Sequence, residues 1–335
     1  SGRHRGGRGM PGARAPGHRL ILLAALMGAA SGCAAPRALH VVIAPVADLR
    51  AKSGTWPAPG THDPFQETQL LYGEPVQLVT IEGGWAYVEA VEQPEYTHHR
   101  RWQGYPGWVL YDLLQPIRRR PTPNAVVTVK WMTVWENPNA MTSMLQLPMG
   151  TKVTVAPTGS EFWKVQLLSG ATGWISRGAV AFLEEVDRLS ESARRERIIR
   201  LAEQFIGDPY FWGGRSPYAG AASPMATGVD CSGLVNLAYR AAGVNIPRDS
   251  HEQRLKARAV ASPDTADLIF LSEQDRPSKI VHVMLYAGEG WLIEGPGTGS
   301  AVRRIRVVDR FGLPLEELHP GGQVERQTIW FGTYW

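Results

Sequence analysis

Cysteine is nearly missing from this chain: two residues of 335, Cys33 and Cys231, with no CxxC pair and no Cys/His cluster at zinc spacing. Neither a metal framework nor any other bound cofactor is therefore expected. Charge of one sign is missing too. The 35 basic and 31 acidic residues are interspersed and the net charge is +4, so no stripe exists for nucleic acid to follow. A membrane-spanning run is also lacking, because the apolar stretch 20–27 is far shorter than the ~20 residues a spanning helix needs. What remains is the composition of an ordinary globular chain, 44% hydrophobic, with length for two or three domains.

Residues 1–9 are rich in Gly and Arg and precede Met10, the expected start of translation. From Met10 the order is basic (Arg14, His18, Arg19), apolar (20–27), then small, closing on Ala30-Ser31-Gly32-Cys33. This is the layout of an export signal. Its last four residues resemble the bacterial lipobox, whose cysteine becomes the lipid-bearing first residue of the mature chain, with Ala30 where Leu is usual. Cys33 is thus the expected lipidation site, and residues 1–37 are read as signal and linker. Ala34 lacks the Asp that retains lipoproteins at the inner membrane, so the expected place is periplasmic or at the cell surface, anchored to the outer membrane. With Cys33 consumed or removed, Cys231 cannot form an intramolecular disulfide and stays a thiol in an oxidising compartment.

Residues 38–117 read as all-β, with short strands at 39–43, 76–81 and 85–88 between Gly, Pro and Asp signals. Residues 124–184 repeat the scheme. Gly73-Glu74-Pro75-Val76, Trp85 and Gly107-Trp108-Val109 find Gly150-Thr151-Lys152-Val153, Trp163 and Gly173-Trp174-Ile175 at similar spacing, which points to internal duplication. The pattern resembles the bacterial SH3-like barrel, with 118–123 as the linker between copies. Two extra loops in the first copy, 52–68 and 91–103, are long enough to imply a task.

From Ser190 the period becomes helical, with Ile198, Ile199, Ala202, Phe205 and Ile206 as a stripe that Gly207 ends. A second helix starts after Asp230, its expected N-cap, and stops at Gly243. Cys231 falls in the first turn of that helix, where free backbone N–H groups and the helix dipole favour an anion, as a nucleophilic cysteine requires. The alternative is an inert buried cysteine. Small or polar Asp230, Ser232 and Gly233 argue instead for a partly open first turn. Strands follow at 266–271, 280–287, 291–294, 301–308 and 328–334, so the third domain, 190–335, is α+β with an antiparallel sheet. In the second of these strands His282, Met284 and Tyr286 share one face and Val281, Val283 and Leu285 the other. His282 is the candidate base, better placed than His251, His319, His98 or His99. Amide acyl transfer needs such a thiol and imidazole plus oxyanion donors, of which the Cys231 backbone N–H is one.

Five motifs now carry a resemblance: Tyr210-Phe211-Trp212-Gly213-Gly214, Asp230-Cys231-Ser232-Gly233-Leu234, Ile246-Pro247-Arg248-Asp249-Ser250 with Gln253, Asp267-Leu268-Ile269-Phe270, and His282-Val283. Together they resemble the NlpC/P60 cysteine peptidases of bacterial cell-wall peptides, and with two SH3-like units ahead, the γ-D-glutamyl-L-diamino acid endopeptidases of murein-peptide recycling. The likeness implies a papain-like fold with Cys231 as nucleophile, His282 as base and Tyr210 as a second oxyanion donor. It places Glu294 where the family's third polar residue, commonly His, Asn or Gln, stands. It also implies that Asp249 and Ser250, with Asp230 and Ser232 nearby, hold the free amine of an N-terminal L-Ala, and that Glu74 and Tyr105 of the first barrel close the far end of the cleft. An insertion between Ser216 and Thr227 departs from the family pattern at the rim. The expected function is hydrolysis of the γ-D-glutamyl–diamino acid bond of murein peptides by a monomer. A less selective hydrolase of intact peptidoglycan and a non-catalytic murein-binding lipoprotein are the competing readings.

Overall fold

The computed structural model describes residues 38–55, 63–139, 142–223 and 226–335. The export signal, the lipobox with Cys33, and the centre of the 52–68 loop lie outside the described residues. Seven strands form the first unit: β1 (Leu39–Val42), β2 (Val46–Arg50), β3 (Gln66–Leu71), β4 (Pro75–Glu82), β5 (Trp85–Glu95), β6 (Gln103–Leu110) and β7 (Leu114–Pro116). Seven more form the second: β8 (Ala125–Val127), β9 (Trp131–Trp135), β10 (Ser143–Pro148), β11 (Lys152–Ala156), β12 (Phe162–Gln166), β13 (Thr172–Ser176) and β14 (Val180–Phe182). The first sheet runs 3-2-6-5-4-1-7 and the second 10-9-13-12-11-8-14, the same order displaced by seven strands. Gly73 and Gly150 take left-handed φ values of 80° and 83° at equivalent turns. The buried set repeats as well, with Val42, Leu49, Val76, Val88 and Val109 in one core and Val127, Val134, Val153, Val165 and Ile175 in the other.

Register corrects one pairing made from the sequence. Trp108 lies opposite Tyr87 and Trp174 opposite Lys164, so the counterpart of Trp85 in the second copy is Phe162 and not Trp163. A slip of one residue moves a side chain to the other face of its strand. The 91–103 stretch is also less of a loop than expected. Strand β5 continues through an irregularity between Ala90 and Pro94 to Glu95, because buried Gln93 bonds the Gln69 carbonyl at 3.0 Å and leaves only 96–102 as loop.

In the third unit, α1 (Leu183–Asp187) leads to α2 (Glu191–Glu203), whose Ser190 hydroxyl caps the Ala193 N–H. Ile198, Ile199 and Ala202 enter the core, but the helix stops at Glu203, so Ile206 turns outward and is exposed rather than part of the stripe. Next come α3 (Cys231–Ala241), α4 (Ser250–Lys256) and the strands β15 (Arg258–Ala259), β16 (Leu268–Glu273), β17 (Arg276–Gly288), β18 (Trp291–Glu294) and β19 (Arg303–Arg306). The unit closes with α5 (Val307–Phe311), β20 (Gln323–Val324) and β21 (Gln327–Thr333). The sheet is antiparallel, ordered 15-21-16-17-18-19, with β20 on β21.

Leu234, Val235 and Ala238 of α3 share a core with Val283, Leu285 and Ile293 on one face of this sheet, while Met284, Tyr286 and Leu292 form a core on the other. Two local expectations fail here. The register shifts between Leu271 and Ser272, so Leu271 faces His282 and Ser272 faces Ile280, leaving Val281 as an extra, exposed residue and not a core one. Val307 and Val308 leave the strand for α5, which Gly312 ends with a left-handed φ of 70°.

Every residue of α3 is buried. The sheet covers one side, and the β-units reach the other. Arg240 donates to the Gly150 carbonyl at 2.7 Å and to Glu92 at 2.6 Å.

Candidate active site

Asp230 is the N-cap of α3, its Oδ1 accepting the Gly233 N–H at 2.7 Å. Gly233 permits a close crossing just above: a Cβ there would stand 2.1 Å from the Gly214 carbonyl oxygen. The loop carrying Tyr210 can therefore lie on the first turn of the helix. Its path is fixed by the Tyr210 N–H on the Ser300 carbonyl (2.8 Å) and the Phe211 N–H on the Val229 carbonyl (2.9 Å). Cys231 is consequently only 8% exposed, and the half-open first turn expected from its small neighbours is not found, because this loop and Arg248 roof it.

Arg248, fully buried, is the organiser that residue-type reasoning passed over. Its guanidinium donates to both Asp230 oxygens (3.0 and 2.8 Å), to Ser232 Oγ (2.8 Å) and to the Gly214 carbonyl (3.2 Å), and its Nε reaches Thr68 Oγ1 of the first β-unit at 2.7 Å. Asp230 also accepts the Gly213 N–H, and the Ser232 hydroxyl donates to it. Asp230 and Ser232, expected to bind substrate, have their polar atoms engaged with one another and with a buried guanidinium that must be paired.

Across from Cys231, β17 presents His282, which interacts electrostatically with the cysteine and whose Nε2 lies 2.9 Å from Glu294 Oε2. Glu294 is 1% exposed, not a solvated strand end. Burial disfavours the imidazolium, but the hydrogen bonds and charges of Cys231 and Glu294 outweigh it and hold His282 up at about 9. Burial likewise disfavours the Glu294 carboxylate, yet His282, Arg303 and Arg310 pull it down to about 2. This constellation can sustain a thiolate–imidazolium pair. Tyr210 stands beside it: burial and the negative charges of Cys231 and Asp230 push its hydroxyl well up, so it stays a proton donor. Gly295, directly after Glu294, keeps the space open, since a Cβ there would lie 3.3 Å from the Tyr210 ring and 3.7 Å from the Cys231 nitrogen.

The far end belongs to the first β-unit. The Tyr105 hydroxyl lies 2.9 Å from Asp249 Oδ2 and 3.0 Å from Glu67 Oε2. Asp249 occupies the N-cap position of α4 but makes no capping bond with its side chain. It sits in a recess that leaves 38% of its side chain open, and the dense surroundings, with Glu252 near and Arg248 and Tyr105 opposing, push its carboxyl up to about 7. Ser250 opens α4 and is buried. His98 closes the recess, Nδ1 on Glu95 at 2.9 Å and Nε2 at 3.8 Å from Glu67. The 96–102 loop is pinned by Thr97, whose N–H and hydroxyl donate to Glu252 of α4.

Glu74 is not at this recess. It is 2% exposed, ion-paired with Arg215 (2.8 Å) and Arg240 (3.3 Å), and accepts from Gln93 at 3.1 Å. The acidic residue beside Tyr105 and Asp249 is Glu67, which sequence reasoning missed although it is the second residue of β3, at the end of the first extra loop. The insertion after Ser216 is clamped by both β-units, through the Gln69 amide on the Ala226 carbonyl (2.8 Å) and the Trp131 indole on the Tyr218 carbonyl (3.2 Å). A separate recess of about 560 Å³, walled by Asn124, Phe182, Leu183 and Asp187, holds none of these groups.

Residues 207–311 match the NlpC/P60 family. The γ-D-glutamyl-L-lysine dipeptidyl-peptidases of Bacillus cereus and Bacillus subtilis are similar, at 28% identity over 71% of this chain and 70% of theirs, and 27% over 72% and 76%. The peptidoglycan endopeptidase RipB of Mycobacterium tuberculosis is 36% identical over 40% of this chain and 57% of its own. The crystal structure of an NlpC/P60 family protein from Bacillus cereus superposes with a TM-score of 0.71 over 88% of this chain and 99% of that one, at 23% identity, so the arrangement of two all-β sheets before an NlpC/P60 fold is shared. Preceded by two β-units consistent with SH3-like domains, the C-terminal part of this chain carries an NlpC/P60 domain over residues 207–311.

Proposed function

We propose that this protein is a cysteine endopeptidase that cleaves the γ-D-glutamyl–diamino acid bond of murein peptides bearing a free N-terminal L-Ala, outside the cytoplasmic membrane. The Cys231 thiolate attacks the γ-carbonyl carbon, and the oxyanion is met by the Cys231 N–H and the Tyr210 hydroxyl. His282, as imidazolium, gives its proton to the departing amine as the C–N bond breaks. The resulting thioester is then attacked by water, whose proton returns to His282, and the γ-carboxylate leaves. Glu294 orients the ring and stabilises its charged form.

At the other end of the cleft, Asp249 and Glu67, bridged by Tyr105, take the ammonium of the first residue, with Glu67 in the place the sequence had suggested for Glu74. Burial of such acceptors penalises an acylated amine, which leaves them unpaired. Names of the relatives, γ-D-glutamyl-L-lysine dipeptidyl-peptidases and peptidoglycan endopeptidases, support the substrate class. The single observation that carries the reading is the buried line Cys231–His282–Glu294. Cys231→Ala and His282→Ala should each lower turnover of an L-Ala-γ-D-Glu-diamino acid peptide by at least about 10³-fold, with the double variant no worse, since the two act as a unit. Substantial turnover by either single variant refutes the assignment.

A further inference from the structure

Glu294 differs from an ordinary orienting residue in what stands behind it. Strand pairing sets Glu294 directly opposite Arg303, and α5, following at once, brings Arg310 back to the same carboxylate. Arg303 donates to Oε1 through Nε (3.0 Å) and Nη2 (2.6 Å), while Arg310 Nε lies 3.4 Å from Oε1 and 3.5 Å from Oε2. Arg303 thus holds one oxygen, while Arg310 lies against both and shares the second with His282. We propose that Arg303 and Arg310 are positioning residues that temper Glu294, fixing its carboxylate toward His282 while offsetting its charge so that the imidazolium remains acidic enough to protonate the leaving amine.

The physical need is clear. A lone carboxylate in a buried site stabilises an imidazolium strongly. An imidazolium held too firmly is a poor acid, and general acid catalysis works best with a proton donor matched to the working pH. A neutral third side chain avoids this by carrying no charge; here the charge is present and compensated. The other groups facing the pair are accounted for: Cys231 on α3 is the ring's partner charge, Tyr210 stays protonated, Asp230 is tied to Arg248, and the Nδ1 of His251 on α4 accepts the Ile280 N–H at 3.3 Å. Arg303 is 45% exposed at its side chain and Arg310 20%, so solvent screens both, and each should act moderately.

The inference rests on the proposed Cys231–His282 mechanism, and its test separates the two. Measure kcat at saturating free peptide against pH, which reports the bound complex and not the peptide's own amine, for wild type, Arg303→Gln, Arg310→Gln, the double variant and Arg303→Lys, with Cys231→Ala as control, and titrate the His282 ring by NMR. Each Gln variant should raise the alkaline limb and the ring titration by about half a pH unit and the double by about one. kcat should fall several-fold at neutral pH, and Arg303→Lys should keep the wild-type limb. An alkaline limb that is unmoved or lowered in the double variant overturns the inference even if kcat drops, because loosened packing alone changes rate without that shift. Activity in Cys231→Ala would instead overturn the mechanism beneath it.

Discussion

Asp249 is the residue whose chemistry is most exposed to experiment. Its carboxyl, pushed up to about 7 chiefly by burial, is half protonated near neutral pH and fully charged only above it. An acid with a raised value loses favourable folding free energy as pH climbs from the ordinary carboxylate range through 7, so the fold tolerates this charge rather than gaining from it. The return is in binding. KM for a peptide with a free amine should fall as pH rises through about 7, then rise once the peptide's own amine loses its proton near 8. Asp249→Asn should flatten the lower limb, and an unchanged limb in that variant would locate the titration elsewhere. Glu67, Glu252, His98, Tyr105 and Arg248 all face or flank this carboxylate, so the limb is broad. The positions of Cys231 and His282 were legible because a cysteine at a helix start and a histidine on a strand face are local patterns. The place of Glu67 was not, since it depends on β3 and β6 of the first unit meeting Asp249 of the third.

At the scale of elements, α3 was readable from end to end: Asp230 caps it, its apolar spacing is helical, and Gly243 ends it with φ 79°. The bulge at Val281 and the turn into α5 at Val307 were not, because β-branched runs look the same whether paired in register or not. Arg248 shows what ties the elements together, joining β3, the 210–214 loop and the start of α3. Arg248→Met would leave the Asp230 carboxylate buried with only its N-cap, hydroxyl and backbone donors. A loss of about 3–5 kcal/mol is expected, read as a lower midpoint in urea unfolding with activity lost in parallel. A variant of wild-type stability would remove Arg248 from this role.

Across the whole molecule, the first β-unit supplies one wall of the cleft and is locked to the peptidase domain by buried charge. Two acidic residues seven positions apart in sequence do these separate jobs. Glu74 pairs with Arg215 and Arg240 at the junction, whereas Glu67 looks into the cleft. Glu74→Gln should therefore destabilise the protein by about 3 kcal/mol or more, with KM little changed in the folded fraction. Glu67→Gln should leave the unfolding midpoint in place and raise KM for free-amine peptides about tenfold. The reverse pattern would restore Glu74 to the cleft. Duplication of the β-units was plain in the sequence, from Gly73 and Gly150 to the two Gly-Trp-aliphatic strands. The two extra loops of the first copy, with Tyr105, already pointed to that copy as the one beside the recess, whereas the contacts made by β3 through Glu67 have no local signature.

The most direct measurement is the ratio of kcat/KM on L-Ala-γ-D-Glu-diamino acid peptide to that on the same peptide N-acetylated, taken with the wild-type protein at pH 7.5. Losing one or two hydrogen bonds to charged groups in the recess costs about 1.5–3 kcal/mol each, so the ratio should exceed about 10 and collapse toward unity in the Asp249→Asn, Glu67→Gln double variant. Equal rates on the two peptides by the wild type would contradict the account.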